Sequence, residues 1–181
     1  MGWLSDFWGN RTAHKVTATV AAVGTAAAIT MATPLVKKWE GVWTTAQVDR
    51  IGTGEPVTYC YGQTDEFGKV KVGTKFTIAD CTKFLAASLP KYNAEISQCI
   101  KVPISDMTRA SFISMAYNIG TTGFCKSSIP ILLNSGKALE ACNAMLYWVK
   151  AQGKTVQGLV NRRRDERNMC VNGLKEPKVP A

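Results

Sequence analysis

The sequence predicts an α+β fold: an N-terminal helix, a small antiparallel sheet, then a mainly helical lobe. Three observations carry the prediction. Residues 16–36 form an uncharged, Ala-rich run. Residues 42–64 hold two short stretches of β-branched and aromatic residues, parted by the turn-forming GTGEP. From residue 77 onward, apolar residues recur at helical spacing. A chain of 181 residues, 46% apolar and 19% charged, suffices for one domain with a real core and a terminal appendage.

Residues 1–15 include Trp3, Leu4, Phe7 and Trp8, an aromatic set suited to one face of an interfacial helix. The following segment, 16–36, has 21 residues, and at about 1.5 Å per residue it matches the roughly 30 Å of a bilayer core. Seven of the 21 are Ala and five are Thr, with one Leu and one Ile, so its hold on lipid should be marginal. A cleaved signal peptide and an Ala-rich core helix are the competing readings; the aromatic rather than basic start speaks against the first. Flanking charges leave orientation open, since Arg11 and Lys15 lie at one end and Lys37 and Lys38 at the other.

Beyond Gly41, residues 42–48 and 57–64 read as a hairpin, with a third short strand expected at 69–73. Thr77 followed by Asp80 three residues later is a capping box, and Cys81, Phe84, Leu85 and Leu89 share one face of the helix it opens. Further helical faces follow at 105–120 and 127–136, around Leu139, Met145 and Trp148, and at 159–173; Trp148 is read as a core residue. Residues 37–174 form the folded domain and 175–181 a tail.

Lys and Arg number 22 against 13 Asp and Glu, a net charge of +9, which suits phosphate, anionic lipid or an acidic polymer. No zinc-finger, RNP-like or helix-turn-helix pattern accompanies it, so nucleic acid is not the expected partner. The six cysteines, Cys60, Cys81, Cys99, Cys125, Cys142 and Cys170, are scattered without a CxxC, and His14 is the sole histidine. No metal site is expected; an even cysteine count suits up to three disulfides in an exported protein, with buried thiols as the alternative.

Glu40 and Asp49 are separated by eight residues. Two carboxyl groups acting on one glycosidic bond must lie roughly 5–9.5 Å apart, whereas the intervening chain fully extended spans about 30 Å. A bend is therefore needed, and Gly41 is the place for it. Trp39, Val42 and Trp43 surround Glu40 with apolar groups that would keep it protonated as a general acid, while Asp49, beside Arg50 and a Gly-rich turn, would stay ionised.

The segments WEGVWTTAQVD, VTYCYGQT, ADCTKFL, SFISMAYNIG, ACNAMLYW and GLVNRRRDERNMC together resemble the phage-type muramidases of glycoside hydrolase family 24, most closely signal-anchor-release endolysins of phages of Gram-negative hosts. The resemblance runs from about Trp39 to Gly173. It implies a lysozyme-like fold, no cofactor, peptidoglycan as substrate and a monomer, tethered to the host cytoplasmic membrane by 16–36 and then released to the periplasm. The family's Glu, eight residues, Asp, five residues, Thr pattern is met by Glu40 and Asp49. The sixth residue after Asp49 is Glu55, so Thr58, reached through three extra turn residues, is the expected third member, with Thr53 and Glu55 as rivals.

By the same resemblance Gln63, Tyr117, Asn118 and Arg163 are candidate substrate-side residues. Gln63 stands where many relatives carry His. Arg163 is chosen among Arg162, Arg163 and Arg164 as partner of the catalytic Glu, against a solvated helix face; for Asn118 the alternative is a left-handed helix cap. The resemblance also suggests Cys60–Cys81 and Cys142–Cys170, leaving Cys99 with Cys125. The expected activity is hydrolysis of the β-1,4 bond between N-acetylmuramic acid and N-acetylglucosamine with net inversion. A lytic transglycosylase and a non-enzymatic, membrane-disrupting cationic protein are the alternatives.

Overall fold

The computed structural model describes residues 11–49, 56–64 and 68–180, with side chains from residue 26 onward. A single long helix, α1 (Arg11–Glu40), runs from the Ala-rich segment to the first candidate carboxylate. Within it Ala28, Ala32, Leu35 and Val36 recur on one stripe and are buried. That stripe packs mainly on α3 (Asp106–Ile119), and their short side chains allow a close approach. The folded core thus reaches back to Ala28, inside the run that precedes residue 37. Among the described residues, no helix is long and apolar enough to cross a membrane.

After Gly41 come β1 (Trp43–Val48) and β2 (Val57–Cys60), an antiparallel pair. The expected third strand at 69–73 does not form. The outer edge of β1 is covered instead by an irregular stretch, in which Ala46 donates to the Thr74 carbonyl at 2.8 Å and Phe76 donates to Thr44 at 2.8 Å. Gly73 closes that ladder on Ala46, also at 2.8 Å, and breaks the alternation a strand would need.

The capping box at Thr77 and Asp80 is present and opens α2 (Ile78–Ser97). Cys81, Leu85 and Leu89 are buried as expected, while Phe84 sits at the surface edge of a ring cluster with Tyr59 and Phe76. Ser105 caps α3, whose residues Thr108 to Ala116 are all buried, making it the axis of the helical lobe. Around α3 lie α1, α2 and α7 (Gln157–Gly173), with α4 (Thr121–Lys126) at its end and α5 (Ser128–Asn134) and α6 (Ala138–Ala144) beyond.

The helical reading around Leu139, Met145 and Trp148 needs correction. After α6, a single 3-10 turn (Met145–Tyr147) ends the helix, and β3 (Lys150–Ala151) and β4 (Lys154–Thr155) form a tight hairpin. Gln152 and Gly153 both take positive φ at its tip, as a type I′ turn requires. Met145 is buried, but Leu139 and Trp148 are exposed, so Trp148 is not a core residue.

Three disulfides fasten these elements: Cys60–Cys81 joins β2 to α2, Cys99–Cys125 joins the end of α2 to α4, and Cys142–Cys170 joins α6 to α7. The tail is also pinned. Ile104 and Val179 exchange two backbone hydrogen bonds, and buried Arg109 donates to the Pro180 carbonyl.

Candidate active site

Glu40 is the last residue of α1, and Gly41, at φ +66°, turns the chain out of the helix toward β1. The bend expected at this glycine is present. The Glu40 side chain is 20% exposed. Its Oε1 accepts from Arg162 Nη1 at 2.7 Å. Its Oε2 faces the turn after β2, where a β-carbon added to Gly62 would lie 3.9 Å away. The apolar surround expected for Glu40 is largely missing, because Val42 and Trp43 are solvent-exposed; a guanidinium occupies the position nearest the carboxylate.

Asp49 follows β1 directly, and its N–H donates to the Pro56 carbonyl at 2.8 Å. The register pairs Val48 with Val57 and Gln47 with Thr58, but Trp43 with Cys60, so four steps along β1 oppose two along β2. Such a bulge bends and twists its strand, and it shortens the path from Glu40 to Asp49 relative to an extended chain. With Asp49 opposite Pro56, Thr58 is its diagonal neighbour on the same sheet face, at about 7–8 Å between backbones by ladder geometry. The rivals Thr53 and Glu55 lie outside the described residues.

The turn beneath Glu40 is held from within. Gln63 is wholly buried; its Oε1 accepts from the Tyr61 N–H at 2.8 Å and its Nε2 donates to the Tyr117 hydroxyl at 3.0 Å. Tyr117 in turn donates to the Tyr61 carbonyl at 2.6 Å. Gln63 therefore braces the 59–63 turn and offers no face to a substrate, which corrects its assignment. The Tyr117 ring lies tilted against that of Tyr92, with centroids 4.8 Å apart. Burial, then the neighbouring Tyr92 and Glu40, push its hydroxyl well above the usual range, so it remains a donor.

The arginine opposite Glu40 is Arg162, not Arg163. Arg163 is fully buried and donates through Nε to the Trp148 carbonyl at 3.0 Å, through Nη1 to Glu166 and through Nη2 to Asn118 Oδ1. It is neither a contact of Glu40 nor on a solvated face. Burial lowers the proton affinity of its guanidinium, and Glu166 opposes that shift. Asn118 is exposed and helical, not left-handed; Gly120, at φ +79°, ends α3. Arg162, Glu166 and Ser114 were not singled out from sequence. The i, i+4 spacing of Arg162 and Glu166 on a helix was the available signal.

A carboxylate at a helix end, held by an arginine of the helical lobe, and a second carboxylate at the end of the strand that follows it suit a lysozyme-type glycoside hydrolase. The family model for phage lysozyme matches residues 37–166. The chain belongs to the phage lysozyme family, and it is accordingly a glycoside hydrolase with peptidoglycan as substrate. It is similar to the SAR-endolysin of Bacteriophage PS119, 34% identical over 134 residues that cover 74% of this chain and 77% of that protein. The SAR-endolysin of Enterobacteria phage PA-2 is 34% identical over 116 residues, 64% of this chain and 69% of that one. Among solved structures, the endolysin from Escherichia coli O157:H7 phage FAHEc1 matches with a TM-score of 0.68 at 31% identity, covering 78% of this chain and 91% of that one.

Proposed function

We propose that this lysozyme is an endolysin that cleaves the β-1,4 bond between N-acetylmuramic acid and N-acetylglucosamine by inverting hydrolysis. Glu40 donates its proton to the glycosidic oxygen. Asp49, with the Thr58 hydroxyl on the same hairpin face, takes a proton from water attacking the opposite side of the sugar. The observation that carries the reading is the pinning of Glu40: Arg162 holds one carboxylate oxygen at 2.7 Å and leaves the other toward Gly62. As the proton leaves, the carboxylate that forms already has its counter-charge in place.

Before acting, the enzyme is tethered to the host cytoplasmic membrane by residues 16–36, with the aromatic residues 1–15 at the interface, and it works as a monomer in the periplasm after release. The names of the SAR-endolysin relatives support the tether, and the sparse hydrophobicity of the run supports release from it.

The test is Glu40→Gln, which keeps shape and removes the transferable proton. Turnover on purified peptidoglycan should fall about 10²–10⁴-fold. Mass analysis of products from the unaltered enzyme should show reducing sugar ends. Anhydro ends, with Asp49→Asn active, would move the assignment to a lytic transglycosylase.

A further inference from the structure

We propose that Glu166 is a positioning residue for the reaction, one carboxylate that fixes both the arginine facing Glu40 and the side chain at the end of α3. The inference rests on the reading of Glu40 as the acid. Glu166 is fully buried on α7, one turn beyond Arg162. Its Oε1 accepts from Arg162 Nε at 3.0 Å and from Ser114 Oγ at 2.7 Å, and its Oε2 accepts from Arg163 Nη1.

Each arginine is thereby held at three points. Arg162 has Nε on Glu166, Nη2 on the Ser114 carbonyl at 3.1 Å and Nη1 on Glu40 at 2.7 Å. Arg163 has Nη1 on Glu166, Nε on the Trp148 carbonyl and Nη2 on Asn118. Three anchors fix a planar guanidinium in position and tilt, so the nitrogen that meets Glu40 cannot swing away. The centre of the bracket is buried, whereas its two ends, Glu40 and Asn118, reach the surface.

A purely structural role is the weaker account. Buried ion groups are replaced by apolar residues of like volume at little loss of stability, so stability alone does not explain two consecutive arginines sharing one carboxylate. Here each arginine links the shared carboxylate to a different group nearer the surface, Glu40 or Asn118. Two carboxylates, Glu40 and Glu166, match two guanidiniums, and removing Glu166 leaves Arg162 with Glu40 as its sole counter-ion and without the anchor that sets its angle.

The experiment compares full-chain Glu166→Gln with the unaltered enzyme on soluble peptidoglycan chains. A displaced acid partner should lower kcat about ten- to a hundredfold while KM stays within about twofold. Glu166→Gln should cost severalfold less kcat when Arg162→Gln is already present than it does alone, because its hold on Glu40 runs through that arginine. The paired change Cys99→Ser and Cys125→Ser, which weakens the fold away from the site, should lower the melting temperature and leave kcat unchanged. Unchanged kcat in Glu166→Gln, or losses that multiply in the combined variant, overturns the proposal. If Glu166→Gln does not fold, Glu166→Met with Arg163→Met exchanges the buried pair for apolar groups, and native turnover there overturns it equally. A fully active Glu40→Gln sinks the acid reading itself; an inactive Glu40→Gln beside a fully active Glu166→Gln sinks only the positioning role.

Discussion

Gln63 directly follows Gly62, the residue facing the proposed acid Glu40, yet its amide points inward and is spent on the turn itself. Gln63→Ala should leave the buried Tyr61 N–H without its acceptor and cost about 1–3 kcal/mol, measured by urea unfolding. Turnover should fall with it, since the turn that limits the Glu40 side chain loses its brace. What spacing along the chain decides was legible: Glu40 and Asp49 are separated by eight residues, and the bend expected between them is at Gly41. It was not legible where the partner is distant. Gln63 meets Tyr117 across 54 positions and Arg162 meets Glu40 across 122, and no local pattern distinguishes Arg162 from Arg163 until α7 is rotated onto α3.

A helix announced by its cap was readable, as α2 shows with Thr77 supplying the first-turn acceptor; the cap of α3 at Ser105 emerged only from the structure. The third strand and the helix through Trp148 were misread because short apolar stretches carry no period of their own and turn geometry decides them. The Asp80 carboxylate of the capping box is held below the usual range by the Thr77 hydroxyl and then by the Thr77 backbone N–H. A folded-state value below the unfolded one stabilises at pH above about 3.8 and is lost as pH falls further. Asp80→Asn should therefore flatten the acid limb of a stability–pH curve, followed by circular dichroism. Packing between elements makes a sharper demand at Gly173. A β-carbon there would lie 2.5 Å from the Thr108 backbone nitrogen and 2.7 Å from Ser105 Oγ, both at the fixed start of α3. Gly173→Ala should destabilise by about 3 kcal/mol in thermal or urea unfolding, the upper end for overpacking, because backbone rather than a flexible tip must yield.

At the scale of the whole molecule, α1 belongs to two environments at once. Its buried stripe from Ala28 to Val36 completes the core, and its last residue is Glu40, so the proposed tether and the proposed acid share one rigid element. Where side chains are described, Thr30 and Thr33 donate their hydroxyls to the carbonyls of Ala26 and Ile29, four residues back. Those polar groups are satisfied by the helix itself, and transfer between lipid and water leaves them no worse off. In the proposed tether, what would hold the run in lipid is the apolar surface of alanines and a few larger residues, a driving force small enough to be overcome when the stripe instead finds α3. Ala18→Leu, Ala21→Leu and Ala22→Leu together add roughly 1–2 kcal/mol in favour of the bilayer and avoid the buried Ala28 and Ala32, where added volume would disturb the core. The membrane-bound fraction after cell fractionation should rise about tenfold, with lysis delayed in proportion and turnover per soluble molecule unchanged. A partition equal to that of the unaltered chain would mean that residues 16–36 do not tether the enzyme.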